Sequence, residues 1–144
     1  MNANDRIRET REAHGLSEAE VARRAGLSTA EYRDIEAYPD EPFRVVQLGK
    51  LRSLCAVLGV DPLELFGRPP GTEAPRSEAR NELVRARRTA LGLSQEQVAD
   101  RIGFELSAIV DMENDAAFLD RWPMELVIEM AEILDLPPRV LVEP

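Results

Sequence analysis

One stretch of this chain occurs twice. Residues 7–36 repeat at 84–113, an offset of 77, with 12 identities in 30 aligned positions. The matches are Arg8/Arg85, Arg11/Arg88, Ala13/Ala90, Gly15-Leu16-Ser17/Gly92-Leu93-Ser94, Val21-Ala22/Val98-Ala99, Arg24/Arg101, Gly26/Gly103, Asp34/Asp111 and Glu36/Glu113. Turn glycine, cap serine and apolar face all recur in place. A chain of 144 residues has room for one domain or two small ones. Self-similarity of this kind decides for two copies of one small domain, each near the lower size limit for a self-supporting core.

The chemistry inside the repeat is helical. Ser17 is a good N-cap, and Glu20 three residues later completes a capping-box pattern. The helix is expected to reach about Ala25, with Val21, Ala22 and Ala25 on one face. Gly26 ends it, because the residue after a helix favours the left-handed conformation. Ser28 caps a second helix, with Glu31 three residues on, and Tyr32 and Ile35 return to the apolar side. Two helices across one glycine-centred turn make a helix-turn-helix, whose second helix can enter a DNA major groove.

The remaining elements are all helical too. A first helix is expected over 5–14, with Ile7 and Arg11 inward and Arg6 and Arg8 outward. Pro39 and Pro42 exclude a continuous helix through 37–42. A fourth helix is expected over 44–58, with Leu48, Leu51, Cys55 and Leu58 inward. A short fifth helix begins at Pro62 behind the cap Asp61. The first domain is thus 1–67, and residues 68–76 form a Pro/Gly linker. The second domain, 77–144, repeats the plan. Its helices are expected at 77–91 with Ser77 as cap, 95–102, 106–113 and 123–134, the last with Val127, Met130, Ala131 and Leu134 inward. Trp122 is placed to pack back as a staple on the helix it precedes. Val140, Leu141 and Val142 close the chain as core or interface. The fold class is all-α.

Charge and composition narrow the function. The net charge is −9. Residues 1–70 hold 10 basic and 12 acidic side chains, and residues 71–144 hold 8 and 15. A DNA-binding surface is normally basic, so the second half is poorly suited to phosphate and the first needs a local basic face. Cys55 is the single cysteine and excludes an internal disulfide. His14 and Cys55 have no partners at metal spacing, and no phosphate loop or nucleophile–base pair appears. The expectation is no metal, no cofactor and no enzymatic activity. No long apolar run occurs, so the chain is expected to be soluble and cytoplasmic, without membrane contact.

Together these residues resemble the Cro/phage-repressor helix-turn-helix family, also called the xenobiotic-response-element family. The resemblance rests on Arg11, Gly15-Leu16-Ser17, Val21-Ala22, Gly26-Leu27-Ser28, Ile35-Glu36 and Leu58-Gly59-Val60. In the second copy it rests on Arg88, Gly92-Leu93-Ser94-Gln95, Val98-Ala99, Gly103-Phe104 and Met112-Glu113-Asn114. It implies two tandem five-helix, lambda-repressor-like domains, with Arg11 paired to Glu36 and Arg88 to Glu113. It also implies that the third helix of each domain reads bases. In the first copy those positions are Ser28, Thr29, Ala30, Glu31, Arg33 and Asp34, with Arg23, Arg24, Arg44 and Lys50 as phosphate contacts. In the second copy they are Leu106, Ser107, Ala108 and Asp111, side chains that read bases poorly, next to Glu105 and Val110. The function this implies is a transcriptional regulator. Its first domain would bind double-stranded DNA, and its second would make a homodimer or dock a protein partner. The alternative is an acidic protein–protein interaction module, antitoxin-like or adaptor-like, that keeps the fold without binding DNA.

Overall fold

The computed structural model describes residues 1–69 and 78–144. The chain divides into two compact units, Met1–Pro70 and Gly71–Pro144. The expected linker falls mostly on residues outside those described, as does the expected cap Ser77.

The first unit holds α1 (Ala3–Ala13), α2 (Glu18–Ala25), α3 (Thr29–Ala37), α4 (Leu48–Leu58) and α5 (Pro62–Leu65). The second holds α6 (Arg80–Ala90), α7 (Gln95–Ile102), α8 (Leu106–Asn114), α9 (Met124–Ile133) and α10 (Arg139–Val142). No strand occurs among the described residues, so the all-α reading stands. No described helix is long and apolar enough to cross a membrane.

The helix ends follow the residues that specify them. Ser17 Oγ accepts from the Glu20 N–H at 3.1 Å, and Ser28 Oγ from the Glu31 N–H at 3.0 Å. Gly26, Gly59 and Gly103 close α2, α4 and α7 in the left-handed region. The full reciprocal capping box is made in the second unit, by Ser94 and Gln97 at 3.0 and 2.8 Å. In the first unit the carboxylate of Glu20 is drawn instead to Arg23 and Arg24. A carboxylate beside two guanidiniums gains more from them than from one backbone N–H.

Two further expectations are corrected. The fourth helix does not start at 44. Residues Glu41–Val45 form a separate π-helical turn, closed by the Val46 N–H on Glu41 O at 3.0 Å, and α4 starts only at Leu48. Pro42 is tolerated there because its missing N–H falls in the first turn, and extended Val46 and Gln47 break the run. Trp122 does not rest only on its own helix. Its ring stacks on Phe104 at 4.9 Å and meets Phe118 edge-on at 5.6 Å, the offset-face and edge arrangements that aromatic rings favour.

The cores of the two units correspond residue by residue. Leu48, Leu51, Leu54, Cys55 and Leu58 of the first match Met124, Val127, Met130, Ala131 and Leu134 of the second, all at most 1% exposed. From this helix on the offset is 76, one residue less than before. Asp135 therefore takes the place of Gly59, and takes its left-handed backbone as well, at φ 53.

Both units are pinned by one device. Arg11 Nε and Nη2 grip the Glu36 carboxylate at 3.1 and 3.0 Å, while Nη1 donates to Leu16 O at 3.0 Å. Arg88 does the same with Glu113 at 2.8 and 2.8 Å and with Leu93 O at 2.9 Å. The first helix is thus tied to the end of the third and to the turn before the second. Asn4 and Asn81, also 77 apart, reinforce it by donating to the backbone carbonyls of Glu36 and Glu113.

Two outcomes follow. Glu113→Ala strands the Arg88 guanidinium in a site where Glu113 is fully buried, and is expected to cost about 3–5 kcal/mol. Urea unfolding followed by the fluorescence of Trp122, the single tryptophan, measures it. Asp135→Gly relieves a left-handed side chain and is expected to stabilise by about 0.5–1 kcal/mol, read by the same signal.

Candidate nucleic-acid interface

Helix α3 buries Tyr32, Ile35 and Glu36 and turns its other side outward. Ala30, Glu31, Arg33 and Asp34 are exposed, Ser28 is exposed at the cap, and Thr29 is half-buried. The inward set is what fixes this orientation: Tyr32 is 0% exposed, Ile35 1% and Glu36 7%. Burial and the neighbouring Glu36 charge push the Tyr32 phenol well above its ordinary range, so it stays neutral.

The cations around α3 are present and exposed, but each of four has a carboxylate on it. Arg23 and Arg24 of α2 reach Glu20 at 2.7 and 2.9 Å. Arg33 lies 3.7 Å from Glu18, and Lys50 of α4 lies 2.9 Å from Glu31. Hydrogen bonds from Arg23 and Arg24 hold the Glu20 carboxyl below its usual range, and the one from Lys50 does the same to Glu31. Arg44 sits exposed on the π-helical turn rather than on the fourth helix. Exposed pairs of this kind add little to stability, so they exchange readily for a phosphate.

Sequence reasoning missed Glu41. It lines a hollow of about 240 Å³ beside α3, with Glu31, Gln47 and Lys50. Burial, and then the Asp34 charge, raise its carboxyl above the ordinary range. The signal was present as Glu41 seven residues after Asp34, but the wide turn that brings them together is not legible in a helix-period reading. It also missed Asn4, which lies outside the stretch whose identities define the repeat.

The equivalent face of the second unit differs. Glu105 stands where Ser28 caps α3, and makes no side-chain cap to α8. Leu106 is 41% exposed and Phe104 39%, so the tip of the helix is apolar. Ile109, by contrast, is buried in the core and Val110 half-buried. Arg85, though exposed, reaches the end of this helix and donates to Glu113 O at 2.8 Å, whereas its counterpart Arg8 pairs with Asp5. Among the described residues no cluster of metal ligands occurs. Burial pushes the Cys55 thiol up to about 12, which leaves it an unreactive core side chain.

The geometry defines a class: two five-helix domains that each turn one side of the third helix outward, with a serine cap on that helix in the first. Comparison with known families agrees. A family model described as "Helix-turn-helix domain" matches residues 5–65, and one described as "Helix-turn-helix" matches residues 84–141. No curated protein and no solved structure matches the chain. Each half belongs to the helix-turn-helix family, and the chain is a tandem pair of Cro/repressor-type helix-turn-helix domains. It is a DNA-binding regulator in general class, and such domains are not enzymes.

The raised Glu41 carboxyl has a pH consequence. Its folded pKa exceeds its unfolded value, so ionisation destabilises the folded unit. The penalty is complete above the folded pKa and absent below the ordinary value of 4.5. Glu41→Gln is therefore expected to be more stable than the parent at pH 7 and equal to it below that value. Tyrosine absorbance during unfolding tests this, since Tyr32 and Tyr38 both lie in the first unit.

Proposed function

We propose that the first domain reads the major groove with α3, and that the second domain joins two chains into a dimer. The observation that carries the first half is the outward polar face of α3, bearing Thr29, Glu31, Arg33 and Asp34. Base-edge contacts would come from these side chains, with Glu31 suited to accept from cytosine and Arg33 to donate to guanine. Ser28 holds the helix start, and Ala30 leaves room for close approach. Arg23, Arg24 and Lys50 would leave the carboxylates that now hold them and turn to phosphates, joined by Arg44.

The second half of the proposal rests on Phe104 and Leu106. Leu106 opens α8 and Phe104 lies in the turn before it, stacked on Trp122 yet part-exposed, where the first domain has polar Thr29 and buried Leu27. Apolar side chains so placed suit a protein surface better than a base edge. A two-fold dimer would set two reading helices about 34 Å apart on a palindromic site.

One observation favours a second reading, an acidic adaptor without DNA affinity. Four of the cations beside α3 are already neutralised by carboxylates of the same domain. The two readings part in a selection from random duplexes at low salt. Groove reading gives an enriched two-fold motif; an adaptor gives none. On the selected duplex, Arg33→Ala is expected to lose about 1–3 kcal/mol and relax one base position, while Lys50→Ala lowers the salt slope by about one. Leu106→Asp is expected to give monomers in sedimentation, with single half-site binding retained.

A further inference from the structure

The two domains differ where their first and last helices meet. In the second, Arg80 opens α6 and is 3% exposed. Its guanidinium lies 2.9 Å from the Asp120 carboxylate and donates to Leu141 O at 3.2 Å and Ala116 O at 3.3 Å. One buried side chain thus fills the space between α6, the segment after α8, and α10.

In the first domain the matching position is Ala3, the first residue of α1. Leu65 of α5 corresponds to Leu141, and Pro39, after α3, corresponds to Ala116. Ala3, Pro39 and Leu65 together line an open cleft of about 400 Å³. The tie from first helix to last is made one turn later instead, by Arg6 Nη1 on Glu64 O at 2.6 Å. The cleft is therefore a place in this fold that the second domain fills with a guanidinium and the first leaves open. Its volume falls in the range of small-ligand sites.

We propose that this cleft binds a small molecule with a guanidinium at one end and a carboxylate at the other, arginine being the simplest. The segments whose carbonyls hold Arg80 recur here, and Asp40 brings a carboxylate to the same cleft. Phe43 and Phe66, with ring centroids 4.9 Å apart, offer apolar faces on which a planar guanidinium and its stem can lie. Arg6 and Arg68 also line the cleft, and the remaining N–H groups of Arg6 suit the ligand's carboxylate. A purely anionic ligand would meet Asp40, and a second cationic end would meet Arg6.

Calorimetric titration of the full chain with L-arginine tests the proposal, with citrulline as the uncharged isostere and agmatine as the analogue lacking the carboxylate. The expected result is saturable one-to-one binding of arginine, at least about tenfold weaker for citrulline and for agmatine. Ala3→Arg supplies the second domain's own plug and is expected to abolish binding, with the tyrosine signal showing that the domain still folds. Should that variant not fold, exposed Asp40→Asn replaces it, with an expected loss of about tenfold. No saturation through the millimolar range, equal binding of citrulline, or affinity unchanged in the folded variant would each overturn it.

Discussion

A buried arginine–glutamate fork holds each domain together. In both, the guanidinium spends two N–H groups on a carboxylate at the end of the third helix and one on the carbonyl of the turn before the second. Three elements are thereby fixed by one side chain. The carboxylate belongs to the helix whose far side faces solvent, so the fork sets how that helix is turned. With Glu36 held inward beside Tyr32 and Ile35, a 3.6-residue period leaves Ala30, Glu31, Arg33 and Asp34 outside.

The same frame then carries two different surfaces. The first domain surrounds its third helix with arginines and a lysine that rest on glutamates. Such exposed pairs add little stability, but they lower the average attraction to any polyanion. On the groove-reading proposal, such a domain would discriminate by the contacts it makes after the carboxylates are displaced, and would hold unselective DNA weakly. The second domain drops the serine cap and the arginine of that helix, gains Leu106 and Phe104, and keeps the fork unchanged. Fold and surface have separate physical requirements, and only the fold's are met twice.

Much of this was legible in the residues. Ser17, Ser28 and Ser94 cap where the sequence places them, because a side-chain oxygen near a helix start has few better partners than the free N–H groups. Apolar spacing placed Leu48, Leu51, Cys55 and Leu58 inward, and in the second domain Val127, Met130, Ala131 and Leu134, but not Leu54, Met124 and Ile128, which are buried as well. The misreadings share a cause: local pattern was taken as final where a nearby side chain competed. Glu20 fits a capping box until Arg23 and Arg24 are beside it, and Trp122 fits a staple until Phe104 is within reach. The turn at Glu41–Val45 escaped because its hydrogen bond spans five residues, a period that apolar spacing does not register.

The sequence by itself determined that there are two all-helical domains and where most of their helices stop, while the pairing of Arg11 with Glu36 and Arg88 with Glu113 was implied by the family resemblance alone. The domains and helix ends depend on caps, glycines and periodicity, which act over a few residues, and on a repeat that tests each assignment against its copy. Only the tertiary structure decided which charges are already partnered, that Glu41 lies near Asp34, and that Ala3 leaves open what Arg80 closes. Those outcomes depend on how separate elements pack against one another, which caps, glycines and apolar spacing do not encode.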